Sequence, residues 1–192
     1  MVKIFRKIFW GVIIATFRIN IGMIPILPAF IGWIIVLDGL IDLGNNSFFE
    51  EVPSLKWTGV SLVAASMIYE GVGVLSPLSL ESGYIWLFFP VIILLIEFIL
   101  FHKLFESSLY HFQKMNDKKS QQKMIKRDRL YIILMASTLL ILIVSTIAYL
   151  NFLLVIGLVL NVVVRLYLIG ILYLLSKISY HEIANSITFS NN

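Results

Sequence analysis

Long apolar runs alternate with short polar breaks along the 192 residues, and the length of each run against the thickness of a bilayer predicts the elements. A helix rises about 1.5 Å per residue and a hydrocarbon core is roughly 30 Å thick, so one crossing takes about 20 apolar residues. The run over 8–43 is too long for one crossing, and the chain must turn back within it. The stretch FRINIGMIPILPAFIGW, residues 17–33, supplies the turn. Pro25 and Pro28 lack an amide donor and disfavour helix in the residue before them, and Gly22 admits unusual dihedrals. Freed backbone groups are costly in lipid, which puts this turn at an interface or against protein. Two further runs, 57–80 and 84–105, are divided by Glu81-Ser82-Gly83, with Trp57, Tyr84 and Trp86 at interfacial positions. The last run, 130–175, must again fold back, and Tyr149-Leu150-Asn151 is its least apolar place, although no Gly or Pro marks it.

The pattern predicts an all-α polytopic membrane protein, one transmembrane helical-bundle domain over 1–192. Six transmembrane helices are expected at about 4–20, 26–43, 57–80, 84–105, 130–149 and 152–175, with a basic loop at 106–129. Composition agrees: 59% apolar residues and a mean hydropathy of +0.94 leave too little polar surface for a water-soluble globule of this size. Cysteine is absent, which excludes disulfides, thiolate metal sites and a cysteine nucleophile.

Charge sets the expected orientation. Seven Lys/Arg against three acids between Glu106 and Arg129 account for the whole net charge of +4, so the basicity belongs to one membrane-side segment. Lys3, Arg6 and Lys7 place the N-terminus in the cytoplasm, and four spans later the basic loop falls on the same side. The C-terminus, with Lys177 and His181, is expected there too, as a short polar tail that frays. A signal peptide is the competing reading of Lys3 to Phe17, but no small-x-small cleavage site follows it.

An ionisable group deep in a span costs about 2.5–3.5 kcal/mol and normally faces a partner or cavity. Counting from the span ends puts Asp38, Glu97 and Arg165 in one layer of the inner half. Arg165 is therefore expected to pair with Glu97, Asp38 or both, with Asn161 one turn earlier on the same face extending the network. Glu70 lies nearer the outside, where Arg18 is the available cation and a second pair is expected. Asp42, one turn beyond Asp38, is expected to be solvated.

Other motifs carry little. Gly71-Val72-Gly73 lacks the strand and Gly-Lys-Ser/Thr of a phosphate loop, and with Pro77 is expected to weaken the end of the third span. His102, His111 and His181 are isolated and show no metal-ligand spacing. Asp38 and Asp42 have no further acids nearby to hold a cation. No nucleophile elbow occurs, and no enzyme activity or cofactor is expected. The basic segment has few aromatics, which favours lipid headgroups over nucleic acid. Ser61, Ala64, Ala65 and Ser66 are expected to allow close packing of the third span, whereas on the first span Ala15 stands alone.

The segments Phe9-Trp10-Gly11, Phe17-Arg18-Ile19-Asn20 and Ile26-Leu27-Pro28-Ala29-Phe30-Ile31-Gly32-Trp33 resemble a family of uncharacterised small polytopic membrane proteins from Gram-positive bacteria. The likeness covers about the first 43 residues. In the family pattern an acid follows the second proline and a tyrosine the glycine, where this chain has Ala29 and Trp33. The resemblance implies a fold and no activity. In size and helix count only, the chain is also similar to the substrate-binding subunits of energy-coupling-factor vitamin transporters.

Two roles are expected from these features. One is a small-solute binding or transport component of a bacterial cytoplasmic membrane, partnered by the bilayer and other membrane subunits. The other is a non-transporting interaction protein, such as a bacteriocin or toxin immunity factor or an exporter accessory factor.

Overall fold

The structure, a computed structural model, describes residues 2–17, 19–21, 24–44, 52–75, 84–114 and 117–189. Among them are six helices, α1 (Val2–Thr16), α2 (Ala29–Gly44), α3 (Val52–Leu75), α4 (Tyr84–Lys114), α5 (Lys118–Ile147) and α6 (Asn151–Phe189). A two-stranded hairpin, β1 (Ile19–Ile21) and β2 (Ile24–Leu27), lies between α1 and α2. Three helices are long and apolar enough to cross a membrane, over Phe88–Gln113, Lys118–Ile147 and Asn151–Lys177. At 15 and 16 residues, α1 and α2 reach only about 22–24 Å.

Each helix packs against the next, and α6 returns to α1, so the six form a closed ring. The side-chain contacts run antiparallel around it: Glu70 to Ala29, Tyr69 to Phe89, His102 to Asp128, Leu142 to Gly157 and Phe9 to Tyr173. This parity gathers Lys3, Arg6, Lys7, Lys56, Lys103, the Lys114–Arg129 cations and Lys177 at one end of the ring. The apolar positions turned outward include Phe152, Val155, Leu158, Val159, Val162 and Leu166 along α6. So continuous an exposed apolar face on a helix of this length suits lipid rather than water.

The hairpin corrects the first two predicted spans. Helix was expected over 4–20 and from 26, but α1 stops at Thr16 and α2 starts at Ala29. Proline and the β-branched Ile19, Ile21, Ile24 and Ile26 favour an extended ribbon, whose cross-strand pairing satisfies part of the freed backbone. Pro25 is tolerable there because a two-stranded ribbon is all edge.

Two segments expected to be irregular are helical. The basic loop shrinks to a short connection, because α4 runs to Lys114 and α5 begins at Lys118. Lys, Gln and Met are good helix formers, and the Asp117 carboxylate caps α5 by accepting the Ser120 amide hydrogen at 3.1 Å. Bonding from the Ser120 hydroxyl and amide holds that carboxyl below its ordinary range. Its capping contribution is therefore present above the usual carboxylate range and fades as pH falls through the lowered value. Burial on α5 recurs at Met124, Asp128, Tyr131, Met135 and Leu139, so one helical stripe runs from the polar part into the apolar part. The expected frayed tail is likewise the continuation of α6 to Phe189. The third span begins at Val52 rather than 57, and Gly71 and Gly73 stay within α3, which ends at Leu75.

Between α5 and α6 the chain reverses at Ala148–Leu150, with Tyr149 in the left-handed region at φ 52°. The Leu150 amide donates to the Ser145 carbonyl at 3.1 Å, a helix stop that normally uses glycine.

The tightest packing joins α1 to α2. A Cβ on Gly32 would lie 2.5 Å from the Gly11 carbonyl oxygen and closer still to the Ala15 amide nitrogen. A Cβ on Gly11 would come within 2.7 Å of the Gly32 carbonyl oxygen. Ala15 thus does not stand alone: Gly11, one turn before it, completes a small-residue face. On α3 that role falls to Gly59, against Leu37 and Leu40, and to the buried Ser66, while Ser61 and Ala64 face outward.

Gly32→Val is expected to lower stability in detergent by about 1–3 kcal/mol through overpacking, or to abolish accumulation. Gly71→Ala and Gly170→Ala meet nothing within 4 Å and are expected to melt at or above the parent temperature, gaining up to about 1 kcal/mol of helix propensity. Tyr149→Gly is expected to raise the melting temperature by removing a left-handed non-glycine residue, worth about 1 kcal/mol.

Candidate functional site

Among the described residues one charged side chain in the ring interior is fully buried. Glu97, midway along α4, accepts a hydrogen bond from Arg165 Nη2 of α6 at 2.8 Å. The two side chains are 1% and 13% exposed. Such a pair is costly to desolvate and costlier to split, since either partner alone would be a stranded charge.

Arg165 makes two further contacts. Its Nη1 donates to the Ala15 carbonyl oxygen of α1 at 3.3 Å, and its guanidinium lies 5.9 Å from the centre of the Trp33 ring on α2. Phe101 of α4 packs next to Trp33, with ring centres 6.4 Å apart. One guanidinium therefore ties α6 to α4, α1 and α2.

The Ala15 contact follows from the early end of α1. The last four carbonyls of a helix lack intrahelical donors, and a cation near them opposes the negative end of the helix dipole. Ala15 is the penultimate residue of α1. Arg165 stands 13 residues from Phe152 and 10 from Leu175, about 20 and 15 Å along α6. The broken end of α1 thus lies near mid-depth of the longest apolar helix.

A second charge serves the other broken end. Glu70 of α3 places Oε1 3.0 Å from the amide nitrogen of Ala29, the first residue of α2, and accepts its hydrogen. A carboxylate at a helix N-terminus satisfies an orphan donor and suits the dipole. Its expected partner, Arg18, lies outside the described residues.

Asp38 departs from expectation. It does not join Arg165; its carboxylate is 2.6 Å from Lys7 Nζ, and Asp42 is 2.7 Å from the same nitrogen. Asp38 lies on the outward face of α2, half a helical turn from Trp33 and Val36, and is 58% exposed. Asp38 is five residues beyond Trp33 toward the cationic end, about 7 Å below the level of Arg165, and its angular position on the helix turns it outward. Lys7 was treated as an orientation signal only.

Asn161 keeps its place one turn before Arg165, yet its buried Oδ1 has no hydrogen-bond partner among the described residues. The same holds for Arg165 Nε and for the Tyr131 hydroxyl on α5, which lies within electrostatic range of both Glu97 and Arg165. Buried polar atoms are normally satisfied, and water or a ligand group supplies what the protein does not.

Another contact not expected from the sequence lies between α4 and α5. His102, treated as isolated, lies 3.0 Å through Nδ1 from Asp128 Oδ1 of α5 and stacks on Phe98. Asp128 falls in the segment expected as a loop and stands on α5 instead. Its spacing from Met124 and Tyr131, four and three residues, was the available signal. Among the described residues no group of three His, Asp or Glu has metal-binding proximity.

Glu97→Leu and Arg165→Leu, made singly, are each expected to cost about 3–5 kcal/mol of stability, read as melting temperature in detergent. The double variant is expected to melt well above the sum of the two losses, because neither charge is left stranded; additive losses would contradict the pairing. Asp38→Asn is expected to melt close to the parent, since its ion pair is exposed.

Compared with known protein families, with curated proteins and with solved structures, the chain matches none.

Proposed function

We propose that the chain is a multi-pass protein of a bacterial cytoplasmic membrane, with six membrane-embedded helices and both termini cytoplasmic, and that its polar centre binds a small solute or ion as part of a transport function. Support for the six-helix arrangement comes from the ring itself, in which α1 and α2 pack beside the three apolar helices. The cations at one end support the cytoplasmic assignment of that end.

The observation that carries the solute reading is the pair of helix termini inside the bundle. In many transporters, interrupted helices present their ends near the bilayer midplane, where orphan backbone groups and charged side chains take up substrate. Here the α1 end meets Arg165 and the α2 start meets Glu70. Beside the first, Asn161 Oδ1, Arg165 Nε and the Tyr131 hydroxyl lack partners among the described residues. A solute with one hydrogen-bond donor and one acceptor would complete that set.

Thermal melting of the purified protein against a panel of metabolites, vitamins and inorganic ions tests this. One compound is expected to raise the melting temperature by several degrees, as preferential binding to the folded state requires. Asn161→Ala is expected to keep the fold and lose that shift. A flat panel, together with protection of a sensitive host against a membrane-active peptide on expression alone, would replace transport by the immunity role.

A further inference from the structure

At the cationic end of the ring, α4, α5 and α6 enclose a cavity of about 200 Å³, away from the Glu97–Arg165 centre. Its polar wall is Ser120, Lys123 and Arg127 of α5; its apolar wall includes Phe112 of α4 and Leu174 and Leu175 of α6. Lys123 and Arg127 are one turn apart on one helix face and aim two cations at the same space. No acid lines it. Two nearby carboxylates, the α5 cap Asp117 and Asp128 on α5, are committed elsewhere, Asp117 to the Ser120 amide and Asp128 to His102. Among the described residues Lys123 and Arg127 form no ion pair. The segment is also fixed in place, because the Tyr167 hydroxyl of α6 donates to the Arg127 carbonyl at 3.3 Å.

The height of the cavity identifies the ligand chemistry. The apolar run of α5 begins at Leu130 and that of α6 ends at Leu175. Lys123 and Arg127 therefore lie about 5–10 Å beyond the apolar layer, at the depth of lipid phosphates. Two cations over an apolar floor match an amphiphile whose phosphate meets the cations and whose glycerol and chain roots meet Phe112 and the leucines. Basic pockets between membrane helices on the cytoplasmic side are suited to anionic headgroups. The volume has room for about six waters at ~30 Å³ each, or for one phosphate and the glycerol it esterifies.

We propose that this cavity is a binding site for the phosphate headgroup of an anionic phospholipid. It rests on the membrane placement of α4–α6 and is independent of solute binding in the ring centre.

The full chain, purified in a neutral detergent and delipidated, is titrated with phosphatidylglycerol and with phosphatidylcholine, with native mass spectrometry counting bound lipid and melting followed in parallel. One phosphatidylglycerol is expected to bind and raise the melting temperature, with phosphatidylcholine at least tenfold weaker. The double variant Lys123→Gln/Arg127→Gln is expected to bind phosphatidylglycerol roughly thirtyfold more weakly, at about one surface cation's attraction per residue removed. Lys118→Gln/Lys119→Gln removes the same charge from the same segment outside the cavity and is expected to bind like the parent. Equal losses in the two double variants, or none in the first, overturn the site. A response to inorganic phosphate or sn-glycerol 3-phosphate as strong as that to the lipid overturns the lipid assignment.

Discussion

A helix that stops inside a packed helical bundle leaves backbone carbonyls or amides with no water to meet them. That constraint organises this fold. The chain breaks between Thr16 and Ala29, and both broken ends are met by charges carried from elsewhere in the sequence: Arg165 of α6 reaches the Ala15 carbonyl, and Glu70 of α3 reaches the Ala29 amide. Arg165 in turn needs a counter-charge, which Glu97 of α4 supplies at 2.8 Å. The break, the arginine and the two glutamates are parts of one solution, linking five of the six helices through a few polar atoms.

Close packing makes the solution possible. Gly11 and Gly32 bring the backbones of α1 and α2 together, which keeps the short pair inside the ring, where α6 can reach it. Larger residues at these crossings would push α1 away from Arg165. The centre therefore depends on glycines that touch no charge, and its polar atoms depend on an apolar interface for their alignment.

Much of this was legible in the runs of apolar residues, and what was not has physical causes. Run length places α4, α5 and α6 and requires a reversal near Pro25 and another near Asn151, because length against bilayer thickness is a strong constraint. Hydropathy does not report helix beyond the membrane, so the polar 106–129 segment read as a loop although Asp117 is a capping residue and Met124, Asp128 and Tyr131 keep helical spacing. Depth counting brings Glu97 and Arg165 to one level but carries no information on azimuth. Asp38, about 7 Å nearer the cationic end than Trp33 and turned outward, faces Lys7 instead. The Gly11–Ala15 face was readable as small residues one turn apart; its partner Gly32 became visible only with the antiparallel register.

The pairing of α4 with α6 through the ring centre is tested most directly by proximity in the native membrane, which the absence of cysteine makes simple. Glu97→Cys/Arg165→Cys removes both charges together, so neither is stranded. Treated in membranes with a short bifunctional thiol reagent, this variant is predicted to give an internal cross-link in high yield, while Glu97→Cys/Val155→Cys, with the second thiol on the outward face of α6, gives none. Equal yields from the two variants, or no cross-link from the first, would contradict the account.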